Sequence, residues 1–300
     1  MTSMSTQPHD APGAGHGFQG EQGEQDAAGR WKLRAVAEAW RQIRPVHQRV
    51  LGPATERLLD LAGVAAGGRV LDVAAGTGEQ TVLAAQRVGP TGSVLATDIS
   101  ATMLEVAGDV FREAGLTNVE TRVMDAQRLE LEPDSFDAAI SRNGLMLVPQ
   151  PHLALAGMKR AVKPGSKVAA LVWSAPERNP FITQSVGVLL RRGWLPAPRS
   201  GEPGMFALAA PGALEGAFRD AGLGGLAVEA VPIAWRFPAV ADALHYFEVA
   251  SASLKQELTV QPSESEWAQA WEEVAQVLEP FRGAQGLAVP GEVLIGVGTK

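Results

Sequence analysis

The feature that most constrains the fold of this chain is a regular alternation of short apolar runs and amphipathic stretches. The strand candidates lie at Val70–Val73, Val94–Thr97, Val119–Val123, Ala138–Ser141 and Val168–Trp173, and the third of them carries polar residues between its two valines. Helix-like stretches lie between most of them, at Gln80–Val88, Ala101–Ala114 and Leu153–Val162. Strands that alternate with helices predict parallel βαβ units with helices on both faces of the sheet. Because such crossovers are right-handed, the carboxyl ends of the strands meet at one edge, where ligands bind.

A glycine turn follows the first of these strands. The chain reads Ala74-Ala75-Gly76-Thr77-Gly78 and then enters the first helical stretch. A strand, a glycine turn and a helix let the backbone come close to a nucleotide-like ligand, because glycine has no side chain to fill that space. The glycine turn alone is weak evidence for a ligand site, since many tight strand-to-helix turns bind nothing.

Polar residues at the ends of the predicted strands strengthen the interpretation of the glycine turn as part of a ligand site. They stand at or just past these ends: Asp72, Asp98, Asp125 and Ser141. A carboxylate at the second strand end, Asp98, can accept hydrogen bonds from both hydroxyls of a ribose. Asp125 is placed to accept from an adenine amine, with the ring against Ile99 and Met103. An aspartate after a strand also caps the next helix, but three acids that match a glycine turn favour one nucleoside-like ligand.

Composition excludes several function classes. The chain has 300 residues, 46% of them hydrophobic, which is enough for a large core. Its net charge of −7 gives no indication of a nucleic-acid partner. The absence of cysteine excludes disulfides, cysteine-ligated zinc and thiol catalysis, and we predict no metal site. We find neither a signal peptide nor a run of the ~20 apolar residues that span a bilayer, so we expect a soluble cytoplasmic protein.

The flanks of the alternating region predict additions to a core at residues 65–237. Residues 1–29 are poor in large apolar side chains, so we expect a disordered tail. Residues 30–64 predict two helices, Trp31–Ile43, ended by Pro45, and Pro53–Leu61, which serve either as packing or as a flap over a ligand.

The later part of the chain predicts a helical insertion before a last strand. Further elements are expected at Phe181–Leu190, Gly212–Ala221 and Leu226–Ile233, before helices at Ala239–Leu254 and Glu264–Leu278. Ser263 and Glu266 form a capping-box signature for the second of these helices. We therefore assign residues 238–290 to an insertion that covers a substrate and residues 291–300 to the final strand.

Taken together, these segments resemble a known family. The matching pieces, in order, are Val70–Gly78, Ala96–Ser100 with Met103-Leu104, Asp125-Ala126, Ser135–Asp137, Gly144-Leu145 and Val162–Ser166. They are similar to the class I S-adenosylmethionine-dependent methyltransferases, most closely to the ubiquinone/menaquinone C-methyltransferase branch. The resemblance covers roughly residues 65–175. It implies a doubly wound, mostly parallel seven-stranded α/β sheet of Rossmann-like type.

The resemblance also implies a cofactor, S-adenosyl-L-methionine, with S-adenosyl-L-homocysteine as its product. It implies that Gly76 and Gly78 shape the methionine pocket, and that Thr81 lies near the cofactor's carboxylate. It places Asp98 at the ribose, Asp125 at the adenine and the backbone of Ser141 and Arg142 at the amino group. The full candidate set is Asp72, Ala74, Gly76, Thr77, Gly78, Thr81, Asp98, Ile99, Met103, Asp125, Ala126, Ser141 and Arg142. Ala74 stands where many family members have the first glycine of the motif.

The resemblance implies methyl transfer, and we expect a hydrophobic, cyclic or aromatic small-molecule acceptor, methylated at oxygen or carbon. The candidate acceptor residues are Trp40, Trp173, Asn179 and Tyr246. No catalytic base is assigned, because His47, His152 and His245 each read as packing or solvated residues. Two alternatives stay open: a methyltransferase-fold protein that binds the cofactor without turnover, and a nicotinamide dehydrogenase. The oligomeric state, a homodimer included, stays open too.

Overall fold

The computed structural model describes residues 29–199 and 201–300. The tail expected at residues 1–29 therefore lies outside the described residues, apart from Gly29. No helix in the described ranges is long and apolar enough to cross a membrane.

A single sheet organises the described part of the chain. Its eight strands are β1 (Arg69–Val73), β2 (Ser93–Asp98), β3 (Val119–Val123), β4 (Phe136–Arg142), β5 (Val162–Trp173), β6 (Gly224–Phe237), β7 (Arg282–Gly283) and β8 (Gly286–Thr299). The strand order is β3-β2-β1-β4-β5-β8-β6. Neighbours from β3 to β5 pair in parallel, whereas β8 runs antiparallel to both β5 and β6. The doubly wound, mostly parallel architecture is confirmed.

The sheet differs from the prediction by one short strand. We predicted seven strands, and the described chain has an eighth because the two residues of β7 pair with the beginning of β8. Gly286 makes this turn possible: its φ is +99°, and a Cβ there would lie 2.4 Å from the carbonyl oxygen of Phe237. The last strand accordingly begins at Gly286 rather than near residue 291.

Helices cover both faces of the sheet. They are α1 (Arg34–Ala62), α2 (Glu79–Val88), α3 (Ala101–Glu113), α4 (Pro151–Ala161), α5 (Pro180–Arg191), α6 (Ala213–Asp220), α7 (Val240–Ala250) and α8 (Glu264–Leu278). The predicted capping box is present, since the Ser263 hydroxyl accepts from the Glu266 N–H and the Glu266 carboxylate accepts from the Ser263 N–H. Helices α7 and α8 form the helical part of the chain between β6 and β7.

Helix α1 contradicts the predicted pair of N-terminal helices. It continues without a break through Pro45 and Pro53, although a proline inside a helix removes one hydrogen bond and clashes with the preceding turn. The helix tolerates both because one apolar face is buried along its whole length. That face carries Ile43, His47, Val50, Leu51, Ala54, Thr55, Leu58 and Leu59. Tertiary burial thus outweighs the local preference to end at Pro45, and it lays α1 across β4, β5 and β6.

Candidate functional site

The predicted strand-end residues meet at one edge of the sheet. The Asp98 carboxylate accepts hydrogen bonds from the N–H of Gly76 at 2.9 Å and from the N–H of Ser100 at 2.9 Å. The backbone N–H of Met124 donates to the carbonyl of Asp98 at 2.9 Å. The glycine turn after β1, the end of β2 and the end of β3 are therefore joined at one residue, Asp98, through its carboxylate and its backbone carbonyl.

The two glycines of the turn do different things. Gly76 has φ +57°, and a Cβ built on it would meet no heavy atom within 4 Å, so the backbone there faces open space. At Gly78, by contrast, a Cβ would lie 2.4 Å from the ring of Phe111 on α3. The second glycine thus serves the packing of α2 against α3, and the first is the one that leaves room for a ligand. Thr77, between them, is buried.

Ala74 takes the conformation that a glycine would take more easily. Its φ is +57°, and Asn143 after β4 has φ +56°. A non-glycine residue in this region is strained by about 1–2 kcal/mol, and such strain concentrates at functional sites. Gly144 makes room for the alanine, since a Cβ on Gly144 would lie 2.4 Å from the Ala74 methyl. Ala74 and Gly144 therefore fit each other across the ends of β1 and β4.

Asp72 is the buried anchor of the turn. The Thr81 hydroxyl donates to one of its carboxylate oxygens at 2.6 Å, and the Gln80 amide donates to the other at 3.2 Å. The Thr81 hydroxyl is fully buried and directed at Asp72, and the place implied for this residue near the cofactor's carboxylate stays a prediction. Burial raises the pKa of Asp72 to about 7, against the opposing hydrogen bonds and the charge of Arg142.

The residues predicted at an adenine lie between β2 and β3. Ile99 is 39% exposed directly after β2, whereas Met103 and Ala126 are buried beneath this edge. Asp125 caps the short turn Ala126–Arg128 by accepting from the N–H of Gln127 at 2.9 Å. A carboxylate offers about four lone-pair sites, so this cap leaves Asp125 able to accept from a ligand.

Arg142 forms a buried ion pair with the first residue of α2. Its guanidinium donates to Glu79 at 2.6 Å and to the hydroxyl of Thr55 on α1 at 3.2 Å. The side chains of Arg142 and Glu79 are only 8% and 7% exposed. The pair lies in the wall of a cavity of about 200 Å³ beneath α1. The end of β4 is thus tied to both the glycine turn and helix α1.

Several polar atoms at this edge have no partner. Among the described residues, seven buried side-chain polar atoms lack a hydrogen bond: Trp40 Nε1, Glu79 Oε1, Ser141 Oγ, Asn143 Oδ1, Ser185 Oγ, Arg192 Nε and Trp235 Nε1. Ser141, Asn143 and Glu79 contribute three of them around the ends of β1 and β4. Leaving a buried polar group unpaired costs about 1–3 kcal/mol. Three oxygens without donors fit a ligand that brings N–H groups.

An aromatic cluster lies next to this edge. We use the name for Trp40, His47, Trp173, Phe181, Trp235, Phe237 and Tyr246. Trp235 is its centre, with ring centroids 4.7 Å from Phe181, 5.2 Å from Tyr246, 6.1 Å from Trp173 and 6.2 Å from His47. Trp40 joins through His47, at 5.1 Å. The structure therefore brings together three of the four predicted acceptor residues, Trp40, Trp173 and Tyr246.

Asn179, the fourth, does not join them. Its amide nitrogen donates to the carbonyl of Glu292 at 3.0 Å, and its amide oxygen accepts from the N–H of Glu292 at 3.1 Å. The side chain is fully buried. Asn179 fastens the beginning of α5 to β8, which corrects its predicted place among the acceptor residues.

His47 links the aromatic cluster to the glycine turn. The sequence analysis assigned it no such role. Its Nε2 lies 2.5 Å from the Tyr246 hydroxyl, and its Nδ1 lies 3.8 Å from Glu79 Oε1. The sequence contains a pattern that would have placed His47 on a buried helix face, because Ile43, His47 and Leu51 recur every four residues and therefore share one face. Ending the helix at Pro45 concealed that face. His152 and His245, by contrast, have no contact with the cluster among the described hydrogen bonds and ring pairs.

The buried Asp72 and His47 predict opposite pH dependences of stability. Native Asp72 keeps a proton that the unfolded chain loses between about pH 4 and pH 7, so its contribution to stability is lost as pH rises. Burial lowers the pKa of His47 from 6.5 to about 4, so its contribution is lost as pH falls through that range. Each group contributes at most about 1.4 kcal/mol per pH unit.

We therefore expect the two variants to shift the pH profile in opposite directions between about pH 4 and pH 6.5. In urea unfolding of the ligand-free protein, His47→Gln should make the unfolding free energy fall more steeply with rising pH. Asp72→Asn should make it rise relative to the unmodified protein. Asp98, whose pKa burial also raises, acts in the direction of Asp72. His152→Gln is the control, and equal slopes in all four proteins would contradict the assignment.

Comparisons with known proteins agree with this geometry. A methyltransferase-domain family model matches residues 70–165. The ubiquinone/menaquinone biosynthesis C-methyltransferase UbiE of Pseudomonas aeruginosa is 38% identical over 122 residues, which cover 40% of this chain and 48% of that protein. The UbiE protein of Pseudomonas putida is 34% identical over 163 residues, which cover 51% and 64%. The chain thus spans about half the length of the first of these relatives.

A solved structure shows the same fold. Phosphoethanolamine N-methyltransferase 2 of Haemonchus contortus, in complex with S-adenosyl-L-methionine, superposes with a TM-score of 0.53 at 19% identity, over 83% of this chain and 52% of that one. The match to the family model identifies residues 70–165 as similar to a methyltransferase domain, and the superposition shows that the fold of the described chain is that of an S-adenosylmethionine-dependent methyltransferase. The residues matched by the family model include the glycine turn and the strand-end acids, and the chain is similar over part of its length to the UbiE C-methyltransferases.

Proposed function

We propose that this chain is an S-adenosylmethionine-dependent methyltransferase that acts on a hydrophobic, cyclic or aromatic small molecule at oxygen or carbon. The observation that supports this most directly is the junction at Glu79. That residue opens α2 directly after the glycine turn, and its free carboxylate oxygen lies 3.8 Å from His47 in the aromatic cluster. A cofactor edge and an apolar, aromatic region therefore adjoin through one side chain.

The residues at the edge fit the proposed cofactor. The Asp98 carboxylate accepts one N–H at each oxygen, which leaves a lone pair on each for the hydroxyls of a ribose, and the open backbone of Gly76 leaves room beside it. Ile99 offers an exposed apolar surface for the adenine, with Asp125 nearby for its amine. The unpaired oxygens of Glu79, Ser141 and Asn143 suit an ammonium group. When bound, S-adenosylmethionine supplies an electrophilic methyl group.

The chain's own contribution is to position the acceptor and exclude water. Orientation of two reactants accounts for about 7–11 kcal/mol of a barrier in favourable cases. Small-molecule pockets are mostly apolar with a few placed polar groups, and the aromatic cluster has this composition. Its indole and phenyl faces also favour a neighbouring cation such as a sulfonium. These properties support a ring-bearing acceptor over a small charged one.

Two alternative functions, cofactor binding without turnover and nicotinamide-dependent dehydrogenation, are possible outcomes of the experiment described below. The matched relatives are named as methyltransferases at carbon, but the chain covers only 48% and 64% of them, and the family model matches residues 70–165, which carry the cofactor motifs. A protein that binds the cofactor without turnover would share those motifs. A nicotinamide dehydrogenase would need a glycine at position 81, where Thr81 instead donates to Asp72.

The proposal is tested by incubating the protein with S-adenosylmethionine labelled at its methyl group and separate panels of phenols, quinols, amines and carboxylic acids. We expect label in one or more phenols or quinols, and far less with the Asp98→Ala variant as a matched control. Label in amines or acids alone would contradict the proposed acceptor class. Cofactor binding with no transfer to any panel would favour the non-catalytic function.

A further inference from the structure

Three buried residues from three separate elements form a series between the aromatic cluster and the cofactor edge, with one hydrogen bond and one close approach of a nitrogen to a carboxylate oxygen. Tyr246 on α7, His47 on α1 and Glu79 on α2 are 5%, 5% and 9% exposed. The distances along the series are 2.5 Å from the Tyr246 hydroxyl to His47 Nε2 and 3.8 Å from His47 Nδ1 to Glu79 Oε1. We call these residues the Tyr246–His47–Glu79 series.

The neighbours of His47 determine which way its hydrogen bonds run. A carboxylate attracts an N–H rather than a nitrogen lone pair, so the Nδ1 that lies 3.8 Å from Glu79 is assigned the proton on electrostatic grounds. The opposite nitrogen, Nε2, then accepts from the hydroxyl of Tyr246. Glu79 is held in place from its other side by Arg142 at 2.6 Å. This is the arrangement of a general base that a carboxylate orients.

We propose that this series removes the proton from a phenolic or enolic hydroxyl of the acceptor, with Tyr246 touching the acceptor and His47 receiving the proton. The proposal rests on the proposed methyltransferase function and narrows its acceptor class. Glu79 is a positioning residue in this scheme, since it acts through the imidazole.

The step balances in atoms and charge. The acceptor's O–H bond breaks as its proton passes to the oxygen of Tyr246, and the proton of Tyr246 passes to His47 Nε2. The electron pair left on the acceptor forms the bond to the methyl carbon, at oxygen or at the conjugated ring carbon, as the carbon–sulfur bond breaks. Methylation at carbon also releases the ring proton, which passes to solvent as the ring regains aromaticity. The imidazolium loses its proton to solvent after the product leaves.

The electrostatics of the series set a condition on the acceptor. The ionisable groups that face His47 are Glu79, Arg142 and Tyr246; burial lowers the pKa of His47 to about 4 and raises the pKa of Tyr246 well above its ordinary value. Both residues are therefore neutral before the step. Because a buried imidazole is a weak base, proton removal must accompany methyl transfer rather than precede it. An acidic hydroxyl, phenolic or enolic, suits such a site better than an aliphatic alcohol.

Two unpaired donors support an acceptor that carries oxygen. The indole N–H groups of Trp40 and Trp235 are buried without partners, and both rings adjoin the imidazole, at 5.1 Å and 6.2 Å. An oxygen that gains negative charge beside His47 would offer these donors an acceptor. Preorganised donors of this kind stabilise charge that develops in a transition state.

The first test needs no substrate. Tyr246 is the only tyrosine of the chain, so protein labelled with carbon-13 at the tyrosine Cζ gives a single resonance. We expect His47→Gln to shift that resonance because it changes the partner of the hydroxyl. Phe247→Leu, at the neighbouring and equally buried position that packs on Trp271, should leave it in place. A resonance that His47→Gln does not move would overturn the proposal.

The second test compares acceptors of different acidity. At pH 8, 4-nitrophenol is ionised and 4-methylphenol is not. We expect Tyr246→Phe to slow transfer to 4-methylphenol by about 100-fold, the lower range for general-base catalysis, and to change transfer to 4-nitrophenol less than threefold. Phe247→Leu should affect both phenols alike.

The remaining outcomes also decide the question. Equal losses on the two phenols, or no loss on either, would overturn the proton transfer and leave the methyltransferase function standing. A protein that binds S-adenosylhomocysteine but methylates only amines or acids would overturn the phenolic acceptor. Failure to bind S-adenosylhomocysteine would instead contradict the proposed function itself. The tyrosine resonance would in that case test only the hydrogen bond between Tyr246 and His47.

Discussion

Replacing Arg142 with methionine should lower the free energy of unfolding by about 3–5 kcal/mol, the usual cost of breaking a buried ion pair. The guanidinium is the charged partner of Glu79, whose side chain is only 7% exposed, and its loss leaves that carboxylate buried and uncompensated. A protein of this size loses about 2–4 °C in melting temperature per kcal/mol. Thermal and urea unfolding of the ligand-free protein measure the effect.

Two controls separate this effect from the loss of any arginine. The double variant Arg142→Met/Glu79→Gln removes both charges and should recover most of the loss. Arg57→Met breaks the Arg57–Glu229 pair, whose side chains are 44% and 39% exposed, and should cost much less because solvent screens an exposed pair. An Arg142→Met variant no less stable than Arg57→Met would show that the pair does not hold α1, α2 and β4 together.

Replacing Asp98 with alanine should weaken the binding of S-adenosylhomocysteine by about 1.5–3 kcal/mol, the range for hydrogen bonds to a charged group. This corresponds to roughly 10-fold to 150-fold in the dissociation constant. The carboxylate is the proposed acceptor for the ribose, and it also fixes the N–H groups of Gly76 and Ser100. Calorimetric titration measures both proteins.

The same residue predicts a pH dependence of binding. Burial raises the pKa of Asp98, so affinity should fall as pH is lowered through that raised value and the carboxylate becomes protonated. The dependence should be absent from the isosteric Asp98→Asn variant. Asp125→Ala, at the proposed adenine contact, should cost less because it loses one neutral partner. Unchanged affinity in Asp98→Ala would mean that the ribose lies elsewhere.

The core of the fold was predictable because its signals are local. Strand β3 has the predicted bounds, Val119–Val123, and helix α8 begins at the capping box of Ser263 and Glu266. The strand-end acids followed from the rule that parallel strands share one functional edge. These patterns depend on near neighbours in the chain, which a single sequence displays.

Contacts between distant parts of the chain could not be predicted from the sequence. Nothing local shows that Phe111 fills the space beside Gly78, that Asp72 receives the Thr81 hydroxyl, or that Glu292 receives the Asn179 amide. Helix α1 continued through Pro45 because its buried face lies against strands far along the sequence. His47 became interpretable only when that helix placed it between residues 79 and 246.

The most direct measurement is a calorimetric titration of the unmodified protein with S-adenosylhomocysteine, with NAD⁺ as a matched nucleotide control. The cofactor edge defined by Gly76, Asp98 and the unpaired oxygens of Glu79, Ser141 and Asn143 predicts saturable binding at one site per chain. It predicts no saturable binding of NAD⁺. Absence of binding at millimolar S-adenosylhomocysteine, or tighter binding of NAD⁺, would contradict the account.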